Sequence, residues 1–320
     1  MNVSTATLRN WQRTGQRGVY GTSLLELART NDSIYAISAD LGNSSGLDRF
    51  KRDLPDRFLN IGISEQHMIG FAAGLSSLGN NVFVSSFAPF LTLRAGEQVR
   101  MNLSYMKSNV KLVSIGSGIS MGYLGNSHFG LEDISIIRSL PNIPIFQPSD
   151  CYELYQILKY LSGFDGPAYL RLTGVAPNPS IFNSEYIFSP GKIVYHGYGH
   201  DLLVLASGSI VSSVLAAAGS LPDASIQVCS LPSLWPLPED LLETMASFSN
   251  VLIVDEHSAV GGLSSMVAES LLGAELTLSC RISSVSLPAQ YLTSGTYEHL
   301  LDAYGLSVSS LVSKMQSFLG

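Results

Sequence analysis

Residues 58–75 read Phe-Leu-Asn-Ile-Gly-Ile-Ser-Glu-Gln-His-Met-Ile-Gly-Phe-Ala-Ala-Gly-Leu. The run 58–63 is short and largely apolar, as a buried strand is. From Glu65 the pattern turns helical and is expected to continue to residue 78. Gly70, Ala72, Ala73 and Gly74 keep that helix slim, as close packing against another element requires. An acid thus stands where a strand gives way to a helix. In open α/β sheets this point faces the crevice that takes ligands. The helix dipole also favours an acid in a first turn whatever its function. Glu65 alone therefore fits either a helix start or a site.

The same alternation extends in both directions. Strands are predicted at 33–38, 58–63, 82–86, 110–115, 143–146 and 168–172, with helices over 21–30, 65–78, 92–105, 131–140 and 152–161. Residues 174–190, rich in Pro, Asn and Ser, read as a linker. The pattern then restarts, with strands at 202–206, 226–230, 251–254 and 282–286. Helices follow near 210–220, 238–245 and 262–272 and at the C-terminus. Near-continuous apolar strands alternating with helices predict parallel sheets covered on both faces. The expected fold is α/β, with two consecutive parallel-sheet domains over 14–178 and 190–320.

Composition excludes several classes. Hydrophobic residues make up 46% and charged residues 13% of the 320. No apolar run approaches the ~20 residues of a spanning helix, so no membrane partner is expected. Net charge is 18 − 25 = −7, which argues against a nucleic-acid partner, whose phosphates need a basic patch. Cys151, Cys229 and Cys280 lie far apart and form no Cys-x-x-Cys. This pattern fits buried thiols in a reduced, cytoplasmic protein. Residues 1–17 are polar and basic, so no signal peptide is expected.

Three further stretches carry chemistry. Ser85-Ser86-Phe87-Ala88-Pro89-Phe90 follows a predicted strand, and two aromatics three apart form either a core pair or a slab for a planar ring. Gly116-Ser117-Gly118-Ile119-Ser120-Met121-Gly122 is a Gly-rich loop without the spacing of a dinucleotide or P-loop fingerprint. His128 precedes a helix in Asn126-Ser127-His128-Phe129-Gly130-Leu131-Glu132-Asp133. Each alone has a structural reading.

In order, however, the stretches IGISEQHMIGFAAGL, SSFAPF, GISMG, SHFGLEDISIIRSLPN and PSD between residues 60 and 150 resemble the pyrimidine-binding domain of transketolases. The later stretches DEHSAVGGL (255–263) and SGTY (294–297) resemble the transketolase C-terminal domain. The resemblance implies a thiamin-diphosphate enzyme that moves a two-carbon ketol unit from a ketose to an aldehyde. It implies that Glu65 bonds the N1′ nitrogen of the cofactor aminopyrimidine, and such an acid is expected to be buried and to share a proton. Phe87 and Phe90 match the aromatic pocket around that ring, with Phe90 as the stacking partner. Asp40 matches a position near the cofactor at the subunit contact. His128 matches a histidine facing the substrate. Arg17 and Ser44 match positions that hold a substrate phosphate.

The family binds diphosphate through a metal, with a Gly-Asp-Gly signature that occurs nowhere in this chain. The resemblance therefore points to a split enzyme. A separate N-terminal subunit is expected to hold the diphosphate and Mg2+, in a heterotetramer with two copies of each chain, and no metal ligand is expected here. The match departs at Gly116, where typical members have a histidine, and at Leu124, where many have an acid. It departs again at Gly174, where many have a second phosphate-binding arginine; Arg171, three residues earlier, is expected to point elsewhere. These changes strip polar groups from the sugar channel, and small residues at 116 and 174 are expected to leave room. The acceptor expected is unphosphorylated at its far end or a larger modified sugar, in specialised metabolism. Two rivals stand beside this reading: a pyruvate-decarboxylating enzyme of the deoxyxylulose-phosphate synthase type, and a non-catalytic interaction subunit.

Overall fold

The computed structural model describes residues 3–173, 176–274 and 279–319. In the first half the apolar runs form β1 (Ile34–Ser38), β2 (Phe58–Asn60), β3 (Asn81–Phe87), β4 (Val110–Ile115), β5 (Ile145–Phe146) and β6 (Ala168–Arg171). The second half supplies β7 (Val194–His196), β8 (Leu202–Ala206), β9 (Ile226–Ser230), β10 (Ser233–Trp235), β11 (Asn250–Ser258) and β12 (Arg281–Leu287). One sheet has the order β10-β5-β6-β4-β3-β1-β2 and the other β12-β11-β8-β9-β7. Pairing is parallel except at β10–β5 and β7–β9. The α/β expectation therefore holds, with an antiparallel strand at one edge of each sheet.

Alternation along the strands sends side chains to opposite faces. Ile37, Val82, Val84, Val110 and Leu112 enter one core, while Ile34, Ala36, Phe83, Val113 and Ile115 enter another. Met68, Ile69 and Ala72 of the helix Glu65–Ser76 close the first. Val19, Tyr20 and Leu24 of the helix Thr5–Ala28, with Ile157 and Leu158 of the helix Cys151–Leu161, close the second. The first core also includes Leu203, Leu205, Leu231 and Leu234, so apolar packing continues into the second half. Each fully buried Val, Leu, Ile, Phe or Met side chain among them contributes about 1.5–3 kcal/mol.

Several elements differ from expectation, each for a local reason. The first helix spans Thr5–Ala28 rather than beginning at 21, with a break at Gly15 (φ 73°) where two helical runs meet. Its opening run is mostly polar and carries no apolar period, yet Trp11 is buried against Tyr155. β2 stops at Asn60, short of residue 63. The Asn60 side-chain oxygen accepts from the backbone N–H groups of Gly62 and Asp40, and Gly62, at φ 78°, leaves the extended conformation. The helix expected over 92–105 is wound mainly as π-helix, at Phe90–Arg94 and Val99–Tyr105. β11 runs on to Ser258 through an irregular register, so Asp255, Glu256 and His257 are buried strand residues. β7 and β10, three residues each, give too short a period to read; β10 lies between Pro232 and Pro236 and extends the first sheet. Cys151 and Cys229 are buried thiols, whereas Cys280 is half-buried, against expectation. Among the described residues no helix is long and apolar enough to cross a membrane.

Candidate active site

The C-terminal ends of β1, β2, β3 and β4 point the same way, and the parallel pairing brings their following loops together. Phe87 is the last residue of β3, and Asp40, Glu65, Phe90 and the loop 116–122 lie just beyond the strand ends. This is the side of an α/β sheet on which ligands bind.

Glu65 is the first residue of its helix and only 2% exposed. A carboxylate so placed needs a partner, because an unpaired buried charge is costly. The partner is Arg94, whose Nη1 donates to Glu65 Oε2 at 2.9 Å. The Arg94 guanidinium also lies over the Phe90 ring, 4.1 Å from its centroid. Sequence reasoning missed Arg94. The one available signal was its spacing of four from Phe90, which places both on one helical face.

Phe87, Phe90 and His128 meet as three mutually edge-on rings. Their centroids are 5.8 Å apart for Phe87–Phe90, 5.2 Å for Phe87–His128 and 5.3 Å for Phe90–His128. Phe87 is buried, while Phe90 and His128 are half-buried and form the open side of the cluster. Burial pulls the His128 imidazole below its ordinary pKa, and the nearby Arg94 charge adds to this. The ring is therefore neutral near pH 7, able both to donate and to accept. Its Nδ1 lies 2.9 Å from the Ser127 hydroxyl.

The second half of the chain holds the loops that carry this cluster. Glu256 Oε1 accepts from the Ile119 N–H at 2.9 Å, and the Tyr297 hydroxyl donates to Oε2 at 2.6 Å. Gly295 N–H donates to the Gly122 carbonyl, and Asn126 exchanges two hydrogen bonds with the Leu292 backbone. Beneath them Arg171 Nε donates to Asp133 Oδ2 at 2.8 Å, with both side chains fully buried. Burial opposes ionisation of Asp133, but Arg171 and His257 together outweigh it and hold the carboxyl below the usual range. Arg171 thus points into the interior, away from any sugar channel. The family-like stretches 255–263 and 294–297 act here as a clamp, a role that their sequence did not disclose.

The remaining expected residues are more peripheral. Asp40, exposed and at φ 58°, exchanges hydrogen bonds with Asn60. Arg17 is exposed on the first helix, and its backbone carbonyl lies against Gly46, two residues beyond the half-buried Ser44. Leu124, where many family members have an acid, is 50% exposed. The room expected at Gly116 is not there. Its φ is +72°, and a Cβ would lie 2.5 Å from Met121 Cγ, so Met121 fills the space a larger residue would take. Gly174 lies outside the described residues. Among the described residues no group of three His, Cys, Asp or Glu side chains is placed to hold a metal.

Residues 15–174 match the family described as "Transketolase, pyrimidine binding domain", and residues 191–311 match "Transketolase, C-terminal domain". The chain is 35% identical to a subunit of the apulose-4-phosphate transketolase of Actinobacillus succinogenes, over 86% of this chain and 89% of that one. It is 32% identical to the 6-deoxy-6-sulfo-D-fructose transketolase subunit SqwH of a Clostridium species, over 92% of each. Among solved structures it is similar to a split-gene transketolase described as an inactive beta4 tetramer, with a TM-score of 0.85, 33% identity, and coverage of 95% of this chain and 98% of that one. Matched in both domains and along nearly its full length, the chain belongs to the transketolase family of thiamin-diphosphate-dependent transferases.

Proposed function

We propose that this chain is the ring-holding subunit of a two-chain transketolase, with thiamin diphosphate lying between it and an N-terminal subunit that binds the diphosphate and Mg2+. The observation that carries this reading is the almost fully buried Glu65 carboxyl, linked through Arg94 to the Phe90 ring, which in turn packs on His128. A planar nitrogen-bearing group fits between acid and ring, as the Arg94 guanidinium does.

Each residue then has a distinct task. Glu65 bonds and shares a proton with N1′ of the aminopyrimidine. Phe90 lies along the face of that ring, and Phe87 fixes Phe90 from behind. His128, neutral near pH 7, faces the substrate and bonds its hydroxyl groups. Asp40, tied to Asn60, marks the rim near the subunit contact. Arg17 and Ser44, on adjoining elements, hold the distal end of the sugar. When bound, thiamin diphosphate supplies the electron sink that lets the bond beside a ketose carbonyl break.

The distal end of the acceptor is proposed to differ from an ordinary sugar phosphate. Leu124 exposes a hydrocarbon side chain where many members have an acid. One similar protein is named for a sulfonated sugar and another for apulose 4-phosphate, which fits the use of this scaffold on modified sugars.

Two copies of the chain are proposed to meet through the helix Glu65–Ser76 and the π-wound stretches. Phe71, Leu93, Met101 and Tyr105 there are all more than a third exposed, and grouped exposed apolar side chains are a mark of interaction surfaces. The similar split-gene structure, named inactive as a tetramer of one chain type, supports the further proposal that this chain alone does not turn over. The test is co-expression with a partner bearing Gly-Asp-Gly, followed by ketol transfer assays with thiamin diphosphate and Mg2+. A complex that forms and transfers no ketol unit from any ketose or hydroxypyruvate to any aldehyde would count against this function.

A further inference from the structure

Arg94 does two things at once. Its Nη1 bonds Glu65 Oε2 at 2.9 Å, and its guanidinium carbon lies 4.1 Å above the centre of the Phe90 ring. A planar group that touches both a carboxylate and an aromatic face fills the space between them. A guanidinium is flat, carries N–H donors in its plane, and stacks on aromatic faces. Those are the features by which an aminopyrimidine would be held between an acid and a phenylalanine. The side chain is 46% exposed, so it has solvent into which to swing, whereas Glu65 at 2% exposure does not.

We propose that Arg94 is a built-in stand-in for the cofactor ring: it fills the slot between Glu65 and Phe90 in the unloaded chain and must leave for the aminopyrimidine to enter. This rests on the reading of Glu65 and Phe90 as the ring's acid and stacking partner. The device has a physical purpose. Without Arg94 the unloaded chain would bury a carboxylate with no positive partner, which is destabilising. Arg94 satisfies the acid until the ring arrives, at the expense of competing with it. Loading then exchanges one planar nitrogen group for another on the same two surfaces.

The test uses the full-length chain and the isolated ring, 4-amino-5-hydroxymethyl-2-methylpyrimidine, titrated by NMR. Arg94→Ala and Arg94→Gln are compared with the unaltered chain, and Glu65→Gln is made in each background. The stand-in predicts that both Arg94 variants bind the ring about three- to tenfold more tightly, the scale of one part-exposed charged hydrogen bond. It also predicts that both unfold at lower temperature without ligand, and that Glu65→Gln removes the gain in affinity. An Arg94 that merely supports the folded structure would lower the unfolding temperature and leave affinity unchanged or weaker. That result overturns the stand-in while leaving Glu65 as the ring's anchor, provided Glu65→Gln weakens binding. If Glu65→Gln has no effect in any background, or no variant binds the ring, the reading of Glu65 fails and the stand-in fails with it.

Discussion

The backbone N–H of Ile119, in the loop after β4, donates to Oε1 of Glu256, in β11, at 2.9 Å. One carboxyl thereby ties the second half of the chain to the loop beside the aromatic cluster. Burial pushes Glu256 up to about 7 from its ordinary 4.5. The folded protein therefore binds this proton more tightly than the unfolded chain. Its contribution to stability is complete below pH 4.5 and is lost as pH rises towards 7. At about 1.36 kcal/mol per pH unit, the loss is on the order of 3 kcal/mol. Glu256→Gln can still accept from Ile119 and turn its amide to the Tyr297 hydroxyl. Urea midpoints taken from pH 5 to pH 8 should fall more steeply for the unaltered chain than for Glu256→Gln, and parallel curves would refute this account.

Arg171 and Asp133 form a fully buried pair. Arg171→Met should cost about 3–5 kcal/mol, because it strands a buried carboxylate rather than removing a pair. Arg100→Ala, which breaks an exposed pair with Glu97, should produce no measurable change. Equal unfolding midpoints for the two variants would show that the buried network contributes little.

Glu65→Gln keeps the shape of the side chain and loses its proton chemistry. Circular dichroism should be unchanged. In the two-chain enzyme kcat should fall by about 10²–10⁴, the usual scale for a positioned acid or base. Near-normal turnover would remove Glu65 from the reaction.

The distal sugar is tested by kinetics. With hydroxypyruvate or a ketose as donor, kcat/KM should be higher for a sulfonated, branched or otherwise modified aldehyde than for ribose 5-phosphate or erythrose 4-phosphate. Met121→Ala should widen the acceptor range, since Met121 occupies the space beside Gly116. A strong preference for the plain sugar phosphates would defeat this proposal, and turnover with pyruvate in place of a ketose would move the chain to the deoxyxylulose-phosphate synthase type.

Assembly is tested by light scattering. Met101→Asp with Tyr105→Asp should lower the oligomeric state of the chain alone, because a charge on an apolar contact must be desolvated. Unaltered mass in the double variant would place the contact elsewhere.

The candidate site was legible in the sequence where local pattern and location coincide. Glu65 was visible because a strand period ends and a helical one begins at one residue. Phe87, Phe90 and His128 were visible only as members of an ordered set, since each alone suits a core. Arg94 was hidden because its partner is 29 residues away, and no periodicity encodes which carboxylate a long side chain will reach. The π winding was hidden for a related reason: an apolar helical run looks the same whether its bonds close over four residues or five. Met121 filling the space at Gly116 depends on the loop's left-handed turn, a backbone property that glycine permits without dictating.

β10 has a consequence for dividing the chain. Its three residues come from the second half but close the first sheet against β5, which has only two residues of its own. A first half expressed by itself would expose the backbone of Ile145 and Phe146 as an open ladder, beside apolar surface that Leu231 and Leu234 cover in the whole chain. Unpaired edges of this kind recruit other strands. Severed in the 174–190 segment, the first half should therefore stick to copies of itself, and adding residues 231–236 as a tethered peptide should restore its solubility.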